Sequence, residues 1–193
     1  MQQEWLEILK TKRQTFSWNE AVPDQSLIDS ILEEVHNFSP SKQNLCRYQI
    51  KVVKNFENEQ RKLDIYKSTD RKPTETGIYN SQVLAPYLFA IFLDKKTGAV
   101  ENIELAGLLD IGLVSCFIAY SAIAKGLDIG FCQCINKSKD LQKHFNNRQP
   151  YIFLGVGYKS EDPSTYICPI TNRRITRKKD LAKPVFESYI SYL

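Results

Sequence analysis

The chain is poor in the residues that carry most hydrolytic and metal chemistry. It has two histidines in 193 residues, His36 and His144, and neither stands at metal-ligand spacing from a cysteine. The phosphate-binding G-x-x-x-x-G-K-[ST], the dinucleotide-type G-x-G-x-x-G, G-x-S-x-G and H-E-x-x-H are all missing. Their absence removes the usual signatures of nucleotide triphosphatases, Rossmann dehydrogenases, serine hydrolases and zinc proteases. The five cysteines (Cys46, Cys116, Cys132, Cys134, Cys168) are odd in number and scattered. The C-x-C of Cys132 and Cys134 is neither a zinc ribbon nor a redox C-x-x-C. All five read as reduced thiols of a cytoplasmic protein, with Cys116 a small hydrophobe buried in an apolar segment. Repeats and low-complexity tracts are lacking. The opening MQQEWLEILKTKRQ carries acidic residues early and has no apolar core, so no signal peptide is expected. The most hydrophobic stretch, 105–124, approaches membrane-span length. Asp110 interrupts it, and Ser115, Ser121 and two glycines dilute it, which favours a helix buried in a soluble core.

What is present is ordinary for a globular domain: 42% hydrophobic residues, 25% charged residues and a net charge of +4. The length fits a single domain, 1–193. The mild positive charge suits an anionic small ligand as well as it suits nucleic acid. A short helix is expected over 3–10. VPDQSLIDSILEEVHNF is a clearer one, with Asp24 as cap and Leu27, Ile28, Ile31, Leu32 and Val35 at helical spacing. A polar loop from Phe38 then feeds a strand over Tyr48–Lys54. Residues 55–78 are charged, part helix and part loop. Tyr87–Leu93 is apolar at every position, as a strand buried on both faces requires. A long helix over 103–125 should stop at Gly126, and LDIGFCQC reads as a loop or short strand. SKDLQKHF suggests a short helix. The glycines of 151–158 permit close backbone approach to another buried strand. The remainder has little core periodicity and reads as an extended tail. Helices and strands are mixed, so the fold class is α+β.

Three polar clusters could carry chemistry. TKRQTFSW brings Lys12, Arg13, Thr15 and Ser17 together, a combination of guanidinium and hydroxyls that can hold a phosphate. A solvated loop before a helix has the same composition, and the local pattern alone favours that. Ser39, Ser41 and Asn44 in FSPSKQNLCRYQIKVV either stabilise turns or offer hydrogen bonds to a ligand. NRRITRKKDLAK is basic, with Arg173, Arg174, Arg177, Lys178 and Lys179, but lacks the interleaved aromatics of a single-strand binder. With no obvious nucleophile, an enzyme of this composition would leave the hard chemistry to a bound cofactor.

Taken in order, the clusters resemble the nitroreductase family of FMN-dependent oxidoreductases, over nearly the whole chain. The pieces are KRQTFSW followed by AVPDQSLIDSILEEV, the loop SPSKQNLCRYQIKVV with Pro40, Ser41 and Asn44, and LAPYLFAIFL. The aspartate-initiated helix LLDIGLVSCFIAYSAIAKGL, the late LGVGY strand and a basic pair near the C-terminus complete the series. The resemblance implies a three-layer α+β fold with a central mixed, mainly antiparallel sheet flanked by helices. It also implies an intertwined homodimer in which a tail, 166–193, wraps the partner. Small residues of the long helix (Gly107, Gly112, Ser115, Ala119, Ala122) would let two copies pack closely.

By the same resemblance, Arg13 and Thr15 hold the FMN phosphate and ribityl chain, with Lys12 beside them. Arg177 and Lys179, or else Arg173 or Arg174, are further phosphate partners. Ser39, Pro40, Ser41 and Asn44 reach the partner subunit's flavin. Asn80 and Gln82 stand near the pyrimidine edge, and Gln133 and Cys134 present backbone N–H groups to flavin N5. The sequence departs from the family at Cys46, Arg47 and Tyr48, at Gln133 and Cys134, and at Ser17. The implied activity is ping-pong hydride transfer from NAD(P)H through the flavin to a nitroaromatic, quinone or similar acceptor, with no catalytic side chain. Alternatives within the resemblance are dehalogenation, flavin fragmentation or a non-catalytic FMN-binding module. Outside it, NRRITRKK leaves nucleic-acid binding open.

Overall fold

The computed structural model describes residues 14–69, 80–95, 102–135 and 139–176. The expected helix over 3–10, the loop over 70–78 and the tail beyond Thr176 lie outside them.

The seven apolar residues of β2 (Tyr87–Leu93) fill the centre of the sheet, hydrogen-bonded on both sides. On one side lies β1 (Tyr48–Lys54), in a register running from Tyr48 opposite Leu93 to Lys54 opposite Tyr87. On the other lies β4 (Ile152–Gly157), with Tyr87 opposite Val156 and Ile91 opposite Ile152. β3 (Asp128–Cys132) pairs with the far side of β4, from Asp128 opposite Gly157 to Cys132 opposite Phe153. The order is β1-β2-β4-β3. All these pairs are antiparallel, in keeping with the expected mainly antiparallel sheet.

The two-residue alternation of a strand divides the core into two layers. Tyr87, Phe89, Ile91, Ile129, Ile152, Leu154 and Val156 point to one face. There they meet Ile28, Ile31 and Val35 of α1 (Gln25–Phe38) and Ile111, Val114, Ile118, Ala119 and Ala122 of α3 (Ile103–Ala124). Each buried Ile, Leu or Val among them contributes about 2 kcal/mol. Leu88, Ala90, Phe92, Cys132 and Phe153 point to the other face. They are covered by Ile65 and Tyr66 of α2 (Glu59–Lys67), by Leu141 of α4 (Lys139–Lys143), and by Phe145, Tyr166 and Cys168. Helices on both faces of one sheet make the three layers.

Local chemistry marks the element ends. Asn58 and Asn102 cap α2 and α3, their side-chain oxygens accepting from the N–H of Arg61 and Leu105 at 2.8 and 2.9 Å. Asp24 precedes α1 without making such a bond. Gly126 follows α3 at φ 78°, a left-handed cap that glycine adopts freely. The first part of the expected tail is a hairpin, β5 (Thr165–Ile167) with β6 (Arg174–Thr176), which packs Tyr166 on this chain's own core.

α3 differs from expectation in how its residues face. Gly107, Ser115, Ala119 and Ala122 turn inward, leaving Gly112 alone among the small residues in the open. The outward face is a stripe of Leu105, Leu108, Leu109, Leu113 and Tyr120, and Cys116 stands on it exposed rather than buried. By length and composition α3 could cross a membrane, but 56% of its apolar window is already buried within the fold.

Candidate functional site

The first group of expected site residues forms the loop between α1 and β1. α1 ends where the Ser39 N–H bonds the Val35 carbonyl at 3.1 Å and Pro40 follows. The chain then turns through Lys42–Asn44 with Gln43, Asn44 and Cys46 at φ 60°, 53° and 45°. Left-handed non-glycine residues cost about 1–3 kcal/mol each and persist only where their surroundings compel them.

Here the compulsion comes from Asp110, on the third turn of α3 and 1% exposed. Its carboxylate accepts from Ser41 Oγ at 2.8 Å, from the Arg47 N–H at 3.1 Å and from the Lys42 N–H at 3.3 Å. The Arg47 guanidinium, fully buried, lies 3.7 Å from it and donates to the Lys42 carbonyl at 3.1 Å. Ser41 Oγ also accepts from the Cys46 N–H at 2.8 Å. Gly107 gives Leu93 room beside this pair: a Cβ there would fall 2.2 Å from Leu93 Cδ1, while Arg47 Cβ, at 3.5 Å, would be in ordinary contact. Ser39 and Tyr48 share a hydroxyl hydrogen bond of 2.6 Å. The hydroxyls of Ser39 and Ser41 therefore hold the loop itself, while Pro40 and the Asn44 side chain face outward.

The second group gathers on the opposite face of the sheet, along β3. The Thr15 N–H bonds the Ile129 carbonyl at 2.9 Å, and the Gln14 side-chain amide donates to the Phe131 carbonyl at 2.7 Å, extending the ladder. Gly130 accepts this neighbour closely: a Cβ there would lie 2.6 Å from the Thr15 carbonyl oxygen and 2.9 Å from Gln82 Cβ. Gln82, 3% exposed, donates from Nε2 to the Phe131 carbonyl at 3.3 Å, and its Oε1 is buried with no partner among the described residues. Asn80 is committed to Thr69, donating from its backbone N–H to Oγ1 at 3.1 Å and from Nδ2 to the carbonyl at 2.6 Å. Gln133 and Cys134 follow β3 directly and are exposed. Lys12, Arg13, Arg177 and Lys179 lie outside the described residues. Arg174 is exposed and reaches Asp162 at 3.5 Å.

Thr15, Gln82, Gln133 and Cys134 thus cluster around β3, with Asn80 two residues away. Ser39, Pro40, Ser41 and Asn44 do not join them. They sit at the start of β1, on the α3 face, and β1 is the other edge of the sheet, about 14 Å from β3 at ordinary strand spacing. A cleft of about 1080 Å³ opens elsewhere, between Phe16, Trp18, Phe56, Tyr166 and Arg174, and of the expected residues that are described only Ser17 and Arg174 border it. Sequence reasoning missed the Asp110–Arg47 pair as the organiser of the loop. The signal was present: a carboxylate inside an apolar helix demands buried donors or a cation.

No protein-family model matches the chain, and no curated protein matches it in sequence. Solved structures do match in shape. A putative nitroreductase of Bacillus subtilis superposes with a TM-score of 0.72 at 12% identity, all of both chains covered. A nitroreductase-like protein of Streptococcus mutans gives 0.71 at 19% identity, over 100% of this chain and 99% of the other. An FMN- and NADPH-dependent nitroreductase variant derived from Sphigopyxis sp. strain HMH gives 0.68 at 14% identity, over 97% and 98%. These superpositions, over the whole of this chain, show that it has the nitroreductase fold.

Proposed function

We propose that the chain is an FMN-dependent oxidoreductase, working as a homodimer, that takes hydride from NAD(P)H and delivers it to a nitroaromatic, quinone or similar acceptor. The observation that carries the reading is Gln82 Oε1, a buried acceptor beside β3 with no partner among the described residues. An orphan acceptor of this kind costs about 1–3 kcal/mol unless a donor meets it. The pyrimidine edge of a flavin presents an N–H between two carbonyls, which complements an amide that both accepts and donates. The donor set therefore fits the group. The likeness to an FMN- and NADPH-dependent nitroreductase supports the same cofactors.

The separation of the two groups supports the homodimer. A loop at one edge and face cannot complete a site at the other within one chain, but a second copy can bring it there. The exposed leucine stripe of α3 offers the apolar surface for that contact. The region beyond Thr176, as a tail wrapping the partner, belongs to the same proposal.

Bound FMN would supply the hydride chemistry at its N5. The chain binds and orients. Arg13 and Thr15, with Lys12 and the basic residues Arg177 and Lys179, take the phosphate and ribityl end. Gln82 and Asn80 face the pyrimidine edge, and the backbone N–H groups of Gln133 and Cys134 face N5. Ser39, Pro40, Ser41 and Asn44 of the second copy close over the ring and exclude water. No side chain serves as nucleophile or general acid.

The test is the visible spectrum of the purified protein, after incubation with FMN, before and after NADPH or NADH under nitrogen. A flavin band that bleaches is the expected result. Failure to retain any flavin would overturn the reading.

A further inference from the structure

A carboxylate within an apolar helix must be satisfied, and the way Asp110 is satisfied carries information. Its contacts with Ser41 Oγ, the Lys42 N–H, the Arg47 N–H and the Arg47 guanidinium all come from one loop, residues 41–47. The same loop holds three non-glycine residues in the left-handed region. Stability does not explain the arrangement. A buried ion pair adds little net stability, and an apolar pair of similar shape commonly does as well. What such a pair can supply is a single conformation. The loop so fixed is the one whose outward residues, Pro40 and Asn44, are free to meet a second molecule. Asp110 also sits between Leu109 and Leu113, which stand on the exposed face of α3. The carboxylate thus anchors the loop to the helix that presents the apolar face.

We propose that Asp110, with Arg47 as its counter-ion, is a positioning residue that presets the 39–44 loop in the shape that closes over the flavin of a second copy. The proposal rests on the flavin reading above. A preset loop loses less conformational freedom on binding, so its value appears as cofactor affinity. A plain structural fastening would instead appear as stability, with affinity per folded molecule unchanged.

The experiment compares wild type with Asp110→Asn and Arg47→Met in the full chain. FMN dissociation constants are measured by flavin fluorescence, thermal midpoints by circular dichroism, and amide hydrogen exchange of the 41–48 segment by mass spectrometry without FMN. The expected result is a tenfold or greater rise in the FMN Kd in both variants. Exchange at 41–48 should quicken while β1 and β2 keep their protection. Ser41→Ala, which removes one donor and keeps the ion pair, covers the case in which Asp110→Asn does not fold, and should raise the Kd about threefold. Folded variants that bind FMN as wild type does, or that leave loop exchange unchanged, overturn the role of Asp110 alone. Wild-type protein that takes up no FMN overturns the flavin reading, and this proposal with it.

Discussion

A Cβ placed on Gly155 would lie 2.0 Å from the carbonyl oxygen of Gln82. Strand β4 therefore has to be bare at that position for the 81–84 turn to lie against the sheet and present Gln82. The neighbour is backbone, which cannot rotate away as a side chain would. Gly155→Ala should destabilise the fold by about 3 kcal/mol, the upper end for overpacking, and should lower FMN retention by moving Gln82. Denaturant titration together with flavin occupancy checks this. A variant of wild-type stability would mean that the turn yields without cost.

The leucine stripe of α3 makes a second prediction. Leu109 is 62% exposed and Leu113 46%, in the middle of the stripe. Leu109→Lys places a cation at the centre of the proposed contact while touching little of its own core. The expected outcome in sedimentation velocity is a single-chain mass where wild type shows two chains, with flavin lost in parallel. A variant that remains a dimer with full occupancy would place the contact on another surface.

The third prediction concerns alkaline pH. Burial pushes the Tyr48 hydroxyl up to about 12, outweighing the opposing hydrogen bond from Ser39. Burial first, and then hydrogen bonding with Tyr166 and Cys168, raises Tyr66 well above the ordinary phenol range. Unfolded tyrosines titrate near pH 10, about where these shifts begin to act. Both shifts favour the neutral form in the fold, so their stabilisation is complete below about pH 10 and is lost as pH rises from there through 12. Urea midpoints should be flat across neutral pH and fall steeply above about pH 10. Tyr48→Phe should reduce the slope between about pH 10 and 12 and leave the Tyr66 contribution. An unaltered alkaline limb in that variant would remove Tyr48 from the account.

Much of the scaffold was legible in the chain. Tyr87–Leu93 declared a doubly buried strand because every position is apolar. Gly126 declared the end of α3 because a left-handed cap favours glycine, and the Ile28, Ile31, Val35 spacing declared the inner face of α1. In each case the constraint acts within a few residues, so local pattern suffices. The candidate site was legible only as an ordered set of polar clusters carried by a resemblance. Their grouping was not, since Ser41 and Gln82 look alike in sequence yet lie on opposite faces of the sheet.

Composition and periodicity thus determined the α+β class, the central strand, the core helix and the polar loop before β1. Tertiary structure decided which face each residue of α3 presents, sending Gly107 and Ala122 inward and Cys116 outward. It also decided that Asp110 meets Arg47 across 63 residues of chain, and that among the described residues nothing donates to Gln82 Oε1. The physical reason is that burial within an element follows from short-range spacing. The partner of a buried polar group follows from strand register and helix rotation, which only the packed whole specifies.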